Sequence, residues 1–144
     1  METTPRFRMA FTYATQSLSR FGHSHMSSAH LILGLLELQN GIPYNLLCKA
    51  GVSVESVESY LSSRRASVED SAVREGVRLG RSVLLAIERG EAEARAREHT
   101  YLGTDHLLLG ILAEESGEAA DLFASAHVDR QSLKQTLEAE LRTA

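Results

Sequence analysis

The histidines are the residues whose types and spacing come nearest to chemistry in this chain. His23 and His25 form an H-x-H pair with His30 close behind, and His99 and His106 recur further on. Such a set can supply three ligands to tetrahedral zinc. Against that reading, no cysteine or acidic residue stands at ligand spacing beside them. His30 and His106 also fall at one and the same position of an internal repeat, as expected of histidines that hydrogen-bond within a fold, so no metal or other cofactor is expected. No HExxH, GxSxG or paired Cys/His arrangement occurs, which disfavours catalysis. No G-x-x-x-x-G-K-[ST] occurs either, so ATP hydrolysis by these residues is not expected. The lone Cys48 excludes an internal disulfide, fits a reducing compartment, and reads as a small buried apolar residue in the stretch Leu46 to Ala50. Three carboxylates, Glu37, Glu114 and Glu115, follow the most apolar segments and could line a tentative protein-binding surface for basic ligands. Their plainer reading is a solvated helix face.

The elements that would position these residues come in two copies. His99 to Leu112 reads HTYLGTDHLLLGIL, and 76 positions earlier His23 to Leu36 reads HSHMSSAHLILGLL. The register continues without a gap. His30, Leu31, Leu33, Gly34, Leu36, Gly41, Leu46, Ala50, Val52, Ser56 and Leu61 meet identical residues at His106, Leu107, Leu109, Gly110, Leu112, Gly117, Leu122, Ala126, Val128, Ser132 and Leu137. A repeat of this kind is one supersecondary unit used twice, each copy hiding its apolar face on the other.

Helix signals recur and no run reads as a strand ladder. Thr4-Pro5 opens a first helix with Phe7, Phe11, Ala14 and Leu18 on one stripe, and Gly22 stops it. Ser27 or Ser28 caps a second through about Gln39, and Asn40-Gly41 ends it. Pro43 opens a third to Ala50, and Ser53 caps a fourth through about Leu61. Residues 62–72 read as a polar linker. The second copy begins near Glu75, with Leu79, Val83, Leu84 and Ile87 on its first helix. Thr104 caps its second helix, Gly117 separates the third, and Asp129 caps the fourth. The expectation is an all-α orthogonal bundle of eight helices, residues 1–144 forming one domain, with repeat one at about 4–61 and repeat two at about 75–141.

The 144 residues, 43% of them apolar, suffice for one buried core, and a formal charge of -4 offers no footprint for nucleic acid or anionic membrane. Apolar runs such as Leu107 to Ala113 are too short to span a bilayer, and METTPRFRMAF lacks a signal-peptide core. A cytoplasmic monomer is expected.

The string GTDHLLLGIL at Gly103 to Leu112 closely resembles the G-T-E-H-L-L-L-G-L-L signature of the Clp N-terminal repeat domain, the double-repeat head module of Clp/Hsp100 unfoldases of the ClpC/ClpA type. Glu93-Ala94-Arg95, His99, Tyr101, Glu114, Gly117, Ala119-Ala120 and Val128-Asp129 extend the resemblance. The first copy keeps Gly22-His23, His30, Leu31, Leu33, Gly34, Leu35, Leu36 and Gly41, but has Ser27-Ser28-Ala29 where the family has Gly-Thr-Glu. In the family the ATPase modules lie C-terminal to this domain, so the chain reads as a free-standing relative or as the head of a longer ATPase. The resemblance implies a non-catalytic protein-interaction module of the Clp chaperone–protease system. It would bind adaptors or substrate segments for an unfoldase in grooves between the two copies, or regulate one as a free-standing protein. A small histidine-based metal-binding protein or hydrolase on the same bundle is the alternative.

In some Clp N-domains the acidic residue of G-T-E-H helps bind phosphorylated arginine, the carboxylate pairing the guanidinium and the helix start suiting the phosphoryl group. Carried onto this chain, that implies Thr104 and Asp105 in the second copy. The first copy offers Ser28, which keeps a hydroxyl, and Ala29, which loses the carboxylate.

Overall fold

A computed structural model describes residues 1–63 and 71–143. Among the described residues are α1 (Pro5–Phe21), α2 (Ser28–Glu37), α3 (Ile42–Lys49), α4 (Val54–Ser62), α5 (Arg81–Ala96), α6 (Thr104–Leu112), α7 (Glu118–Ser125) and α8 (Arg130–Thr143). This is the all-α bundle of two four-helix repeats. Most of the expected linker falls outside the described residues.

The helix ends follow the capping chemistry in the sequence. The Thr4 hydroxyl accepts the N–H of Phe7 at 3.1 Å, with Pro5 in the first turn, and Gly22 closes α1 at φ 68°. Ser53 and Ser56 bond reciprocally at the start of α4. One carboxylate oxygen of Asp129 takes the N–H groups of Gln131 and Ser132 at the start of α8. The second helix ends two residues early, at Glu37, because Gln39 turns to φ 65°.

The central helices are α2 and α6. Leu31, Leu33 and Leu36 of α2 and Leu107, Leu109 and Leu112 of α6 are buried in one core shared by both repeats. Each central helix is covered by the helix before it, α1 on α2 and α5 on α6.

Three expectations are corrected. First, short strands do form: β1 (Glu2–Thr3), β2 (Ser71–Arg74), β3 (Val77–Gly80) and β4 (Tyr101–Leu102). A hairpin of β2 and β3 therefore occupies the place where the second copy was expected to enter its first helix, and Leu79 lies on β3 rather than on α5. The turn is Glu75-Gly76, both at positive φ, the geometry that two-residue hairpin loops require. Second, the cap of α6 is Gly103, and Thr104 is its first helical residue. Third, Cys48 is exposed, because α3 turns Leu46 and Leu47 inward and leaves Cys48 and Lys49 outward.

The strands also carry the pseudo-twofold. β1 runs parallel to β4, with Thr3 opposite Leu102, and Leu79 pairs in parallel with Met26. These pairings are the same contact displaced by the repeat length, and both cross between copies. Thr4 N–H donates to the Leu102 carbonyl at 3.0 Å, and Gly80 N–H donates to the Met26 carbonyl at 2.7 Å. The start of α1 is thus held against the start of α6, and the start of α5 against the start of α2.

Candidate functional site

The two starts, of α6 and of α2, hold the candidate ligand residues Thr104, Asp105 and Ser28. Each carries a histidine three residues past the cap. His106 Nδ1 accepts the N–H of Gly103 at 2.9 Å, and His30 Nδ1 accepts the N–H of Ser27 at 2.9 Å. Here the imidazole takes the part that Glu or Gln plays in a capping box. A ring that accepts at Nδ1 carries its proton on Nε2 when neutral, and donates it onward. The partners are His99 Nδ1 and His23 Nδ1, each 2.8 Å away. Burial pushes His30 down to about 3, with the charges of His23 and His25 adding to it. Burial likewise pushes His106 down to about 4, aided by His99 and Arg97. Both rings are neutral, and the histidines act as structural relays. Among the described residues, no three His, Cys, Asp or Glu side chains gather as a metal ligand set.

Beyond the histidines the two starts differ. At α2, the N–H of Ser28 donates to the Ser82 hydroxyl at 3.1 Å, and the Ser28 hydroxyl accepts the N–H of Ala119 at 2.9 Å. Ser28 is 1% exposed and Ala29 is wholly buried. The first-copy start is therefore sealed by α5 on one side and α7 on the other. At α6, Thr104 is buried at the first position and Asp105 is half-buried beside it. Burial raises the Asp105 carboxyl above the usual range, opposed by the nearby positive charges of Arg6 and His99. His99 stacks on Tyr101 at a ring separation of 5.1 Å, and Tyr101 is 43% exposed. Arg6, on the first turn of α1, donates to the Asn40 carbonyl at 2.8 Å.

Sequence reasoning did not single out Arg6, Ser82 or Tyr101 for this corner, and Tyr101 had entered only as a match to the family motif. The signal for two of them lay in the repeat register, which sets Arg6 opposite Ser82 and Asp105 opposite Ala29. The two positions change chemistry together between the copies.

The carboxylates Glu37, Glu114 and Glu115 sit elsewhere, around the far ends of the central helices. Glu37 pairs with Arg20 at 3.4 Å, and Arg20 also reaches Glu58 at 3.1 Å. Glu114 is half-buried, its carboxylate lying against Gly117, and Glu115 is exposed. They are therefore separate from the Thr104–Asp105 corner.

Two grooves do lie between the copies. One, of about 350 Å³, runs between α3 and α8 and is lined by Leu46, Lys49, Ala50, Asp129, Leu133 and Thr136 among others. Its pseudo-symmetric counterpart, about 370 Å³, runs between α4 and α7, with Ser56, Tyr60 and Ala126 among its walls. The Tyr60 hydroxyl donates to Asp121 at 2.9 Å across the second groove's helices.

Among the described residues no helix is long and apolar enough to cross a membrane. The chain is 28% identical over 140 residues to a probable ATP-dependent Clp protease ATP-binding subunit of Chlamydia pneumoniae, covering 97% of this chain and 17% of that protein. It is 29% identical over 140 residues to the negative regulator of genetic competence ClpC/MecB of Bacillus subtilis, covering 93% of this chain and again 17% of the relative. It thus spans about a sixth of the length of these curated relatives. The fold is shared with the N-terminal domain of the chaperone ClpD from Arabidopsis thaliana, at a TM-score of 0.81 and 16% identity, covering 98% and 95% of the two chains. The Hsp104 N-terminal domain from Candida albicans superposes with a TM-score of 0.76 at 18% identity, covering 99% and 92%. The family model described as the Clp repeat (R) N-terminal domain matches residues 2–124 and 78–144, so both copies are included, and the chain belongs to that family.

Proposed function

We propose that this Clp N-terminal domain works by docking: it binds a segment of an adaptor or substrate polypeptide on behalf of a Clp unfoldase and performs no chemistry of its own. The observation that carries the proposal is the inequality of the two helix starts. The start of α2 is closed by Ser82 and Ala119, while Asp105, the second residue of α6, stays half-exposed. A carboxylate next to a helix start suits a group that joins a guanidinium to a phosphoryl. The ligand class is therefore a phosphorylated arginine side chain, taken at one site per chain. Ser28 contributes to the interface between copies rather than to a second site. The inter-copy grooves and the Glu37, Glu114 and Glu115 surface would carry the rest of a partner's contact.

Calorimetric titration with free phosphoarginine tests this. One site is expected in the parent protein and none in Asp105→Ala, with both proteins melting cooperatively at comparable temperatures. If the parent shows no heat of binding and no ligand-induced rise in melting temperature, the site reading is wrong. The partner surface then has to be sought along the grooves.

A further inference from the structure

The two grooves between the copies are built from matching residues, and one of them is covered from within. In the groove between α4 and α7, Tyr60 is buried and its hydroxyl donates to Asp121 across the gap at 2.9 Å. The apolar positions around it are closed, with Val52, Val57 and Leu122 wholly buried. The register carries the same places to the groove between α3 and α8, but there Thr136 stands in the position of Tyr60. Thr136 is exposed, and its hydroxyl turns back to the Ser132 carbonyl at 2.9 Å. Each matching residue is then more open. Leu46 is 7% exposed against 0% for Leu122, and Leu133 is 5% exposed against 0% for Val57. Val128 is half-buried where Val52 is sealed, and Ala50 and Ser132 are exposed where Ala126 and Ser56 are half-buried. The α3–α8 groove is an apolar floor without the ring that covers its twin.

The rim differs in charge as well. Lys49, exposed at the last position of α3, replaces Ser125 of the twin. The one carboxylate on the groove's wall, Asp129, is taken up by the N–H groups of Gln131 and Ser132 at the start of α8. The rim therefore presents a cation. We infer that the α3–α8 groove is a docking site for a partner segment that offers a tyrosine next to a carboxylate. The ring takes the place over Leu46 and Leu133 that Tyr60 fills in the twin, an apolar body with a polar tip. Asn45, at the register position of Asp121, keeps a carbonyl acceptor for the hydroxyl. The partner's carboxylate faces Lys49. An aromatic anchor in a pocket carries most of an interface's energy, and a charge at the rim mostly selects the partner. The inference rests on the reading of the domain as a docking module, and not on the Thr104–Asp105 corner.

The probe is a short synthetic peptide with one tyrosine between two aspartates in a glycine-serine frame, titrated into isotope-labelled protein and followed by amide NMR shifts. Saturable shifts centred on Leu46, Ala50, Val128 and Leu133 are expected, with a dissociation constant of about 1 mM or below, the strength of one side-chain anchor. Replacing the peptide's tyrosine by alanine, or its aspartates by lysines, should weaken binding about tenfold or more. Thr136→Tyr should cover the groove from within, as Tyr60 covers its twin, and weaken the peptide by about tenfold or more. Its urea midpoint should stay at or above the parent's, and its phosphoarginine titration should be unchanged. Lys49→Glu, a change on an exposed residue that leaves the fold alone, should reverse the preference between the acidic and basic peptides. The groove assignment is overturned if the parent shows no saturable shifts or shifts centred elsewhere, or if both variants bind the peptide as the parent does. The docking reading then still stands or falls by the phosphoarginine titration. If the parent is a dimer that Thr136→Tyr turns into a monomer, a second copy fills the groove and the partner assignment is overturned.

Discussion

The carbonyl oxygen of Ala10 lies where a side chain on Gly34 would have to begin, and the carbonyl oxygen of Ala86 lies in the same relation to Gly110. Two helix pairs, α1 on α2 and α5 on α6, thus touch backbone to backbone at the middle glycine of the LLLGxL segment. That closeness lets α2 and α6 be covered on every side while remaining short. It also explains why the glycine recurs at a position where alanine or leucine would make a better helix.

Gly34→Ala and Gly110→Ala should therefore each destabilise the protein. Alanine gains about 1 kcal/mol of helix propensity over glycine. Overpacking against a backbone carbonyl, which cannot rotate away, costs about 1–3 kcal/mol or more. The net should appear as a lower urea midpoint at unchanged m. A midpoint raised by either substitution would refute the close approach.

Acid should weaken the fold through the two histidine relays. His30 and His106 are held at about 3 and about 4, far below the value of about 6.5 that they regain on unfolding. Between those limits the unfolded chain binds more protons than the folded one, so stability falls as pH falls from about 6.5 toward 4. Each histidine contributes up to about 1.4 kcal/mol per pH unit across that window. Asp105, raised by burial, acts in the opposite sense as it takes up its proton, because the folded state then holds that proton more readily. Urea midpoints measured from pH 7 down to pH 5, where most carboxylates are still ionised, should show the decline, and His106→Gln should flatten it. A midpoint independent of pH in that range would mean the rings are not held neutral.

The residues that folding alone requires were legible in the sequence. The 76-position register exposed the repeat, and caps such as Thr4, Ser53 and Asp129 fixed helix starts because their chemistry is local. The hairpin of β2 and β3 escaped because its signal is one Glu-Gly turn between short runs, too brief for a period-two pattern. The crossed pairings of Thr3 with Leu102 and Leu79 with Met26 escaped because backbone pairing over two residues leaves no side-chain signature. The exposure of Cys48 escaped because composition around a residue does not say which face of a helix it takes. At the candidate site, Thr104 and Asp105 were legible from the motif. Arg6 was not, since its relation to Asp105 arises from crossed strands distant in sequence.

Leu33 and Leu109 are equivalent in the register and both wholly buried. Truncating either to alanine should cost about 2–5 kcal/mol, and the two losses should be similar because their surroundings repeat. Chemical denaturation of the two variants checks this. A loss below about half a kcal/mol at either position, the size of a surface change, would contradict its burial.

Ser28→Ala separates a structural from a ligand-binding role. Its hydroxyl is the acceptor for the buried N–H of Ala119, the first turn of α7, and α7 belongs to the other copy. Removing the oxygen leaves that N–H without its acceptor, which costs about 1–3 kcal/mol. The closed start of α2 makes the loss one of folding rather than of recognition. Ser28→Ala should therefore lower the urea midpoint while leaving any phosphoarginine affinity of the folded protein unchanged. Ser82→Ala, which strips the acceptor from the Ser28 N–H, should behave in the same way. Asp105→Ala should do the reverse, since Asp105 is half-exposed, and weaken the ligand more than the fold. If Ser28→Ala reduced phosphoarginine binding as much as Asp105→Ala, the two helix starts would be functionally equal. The single-site reading would then fail.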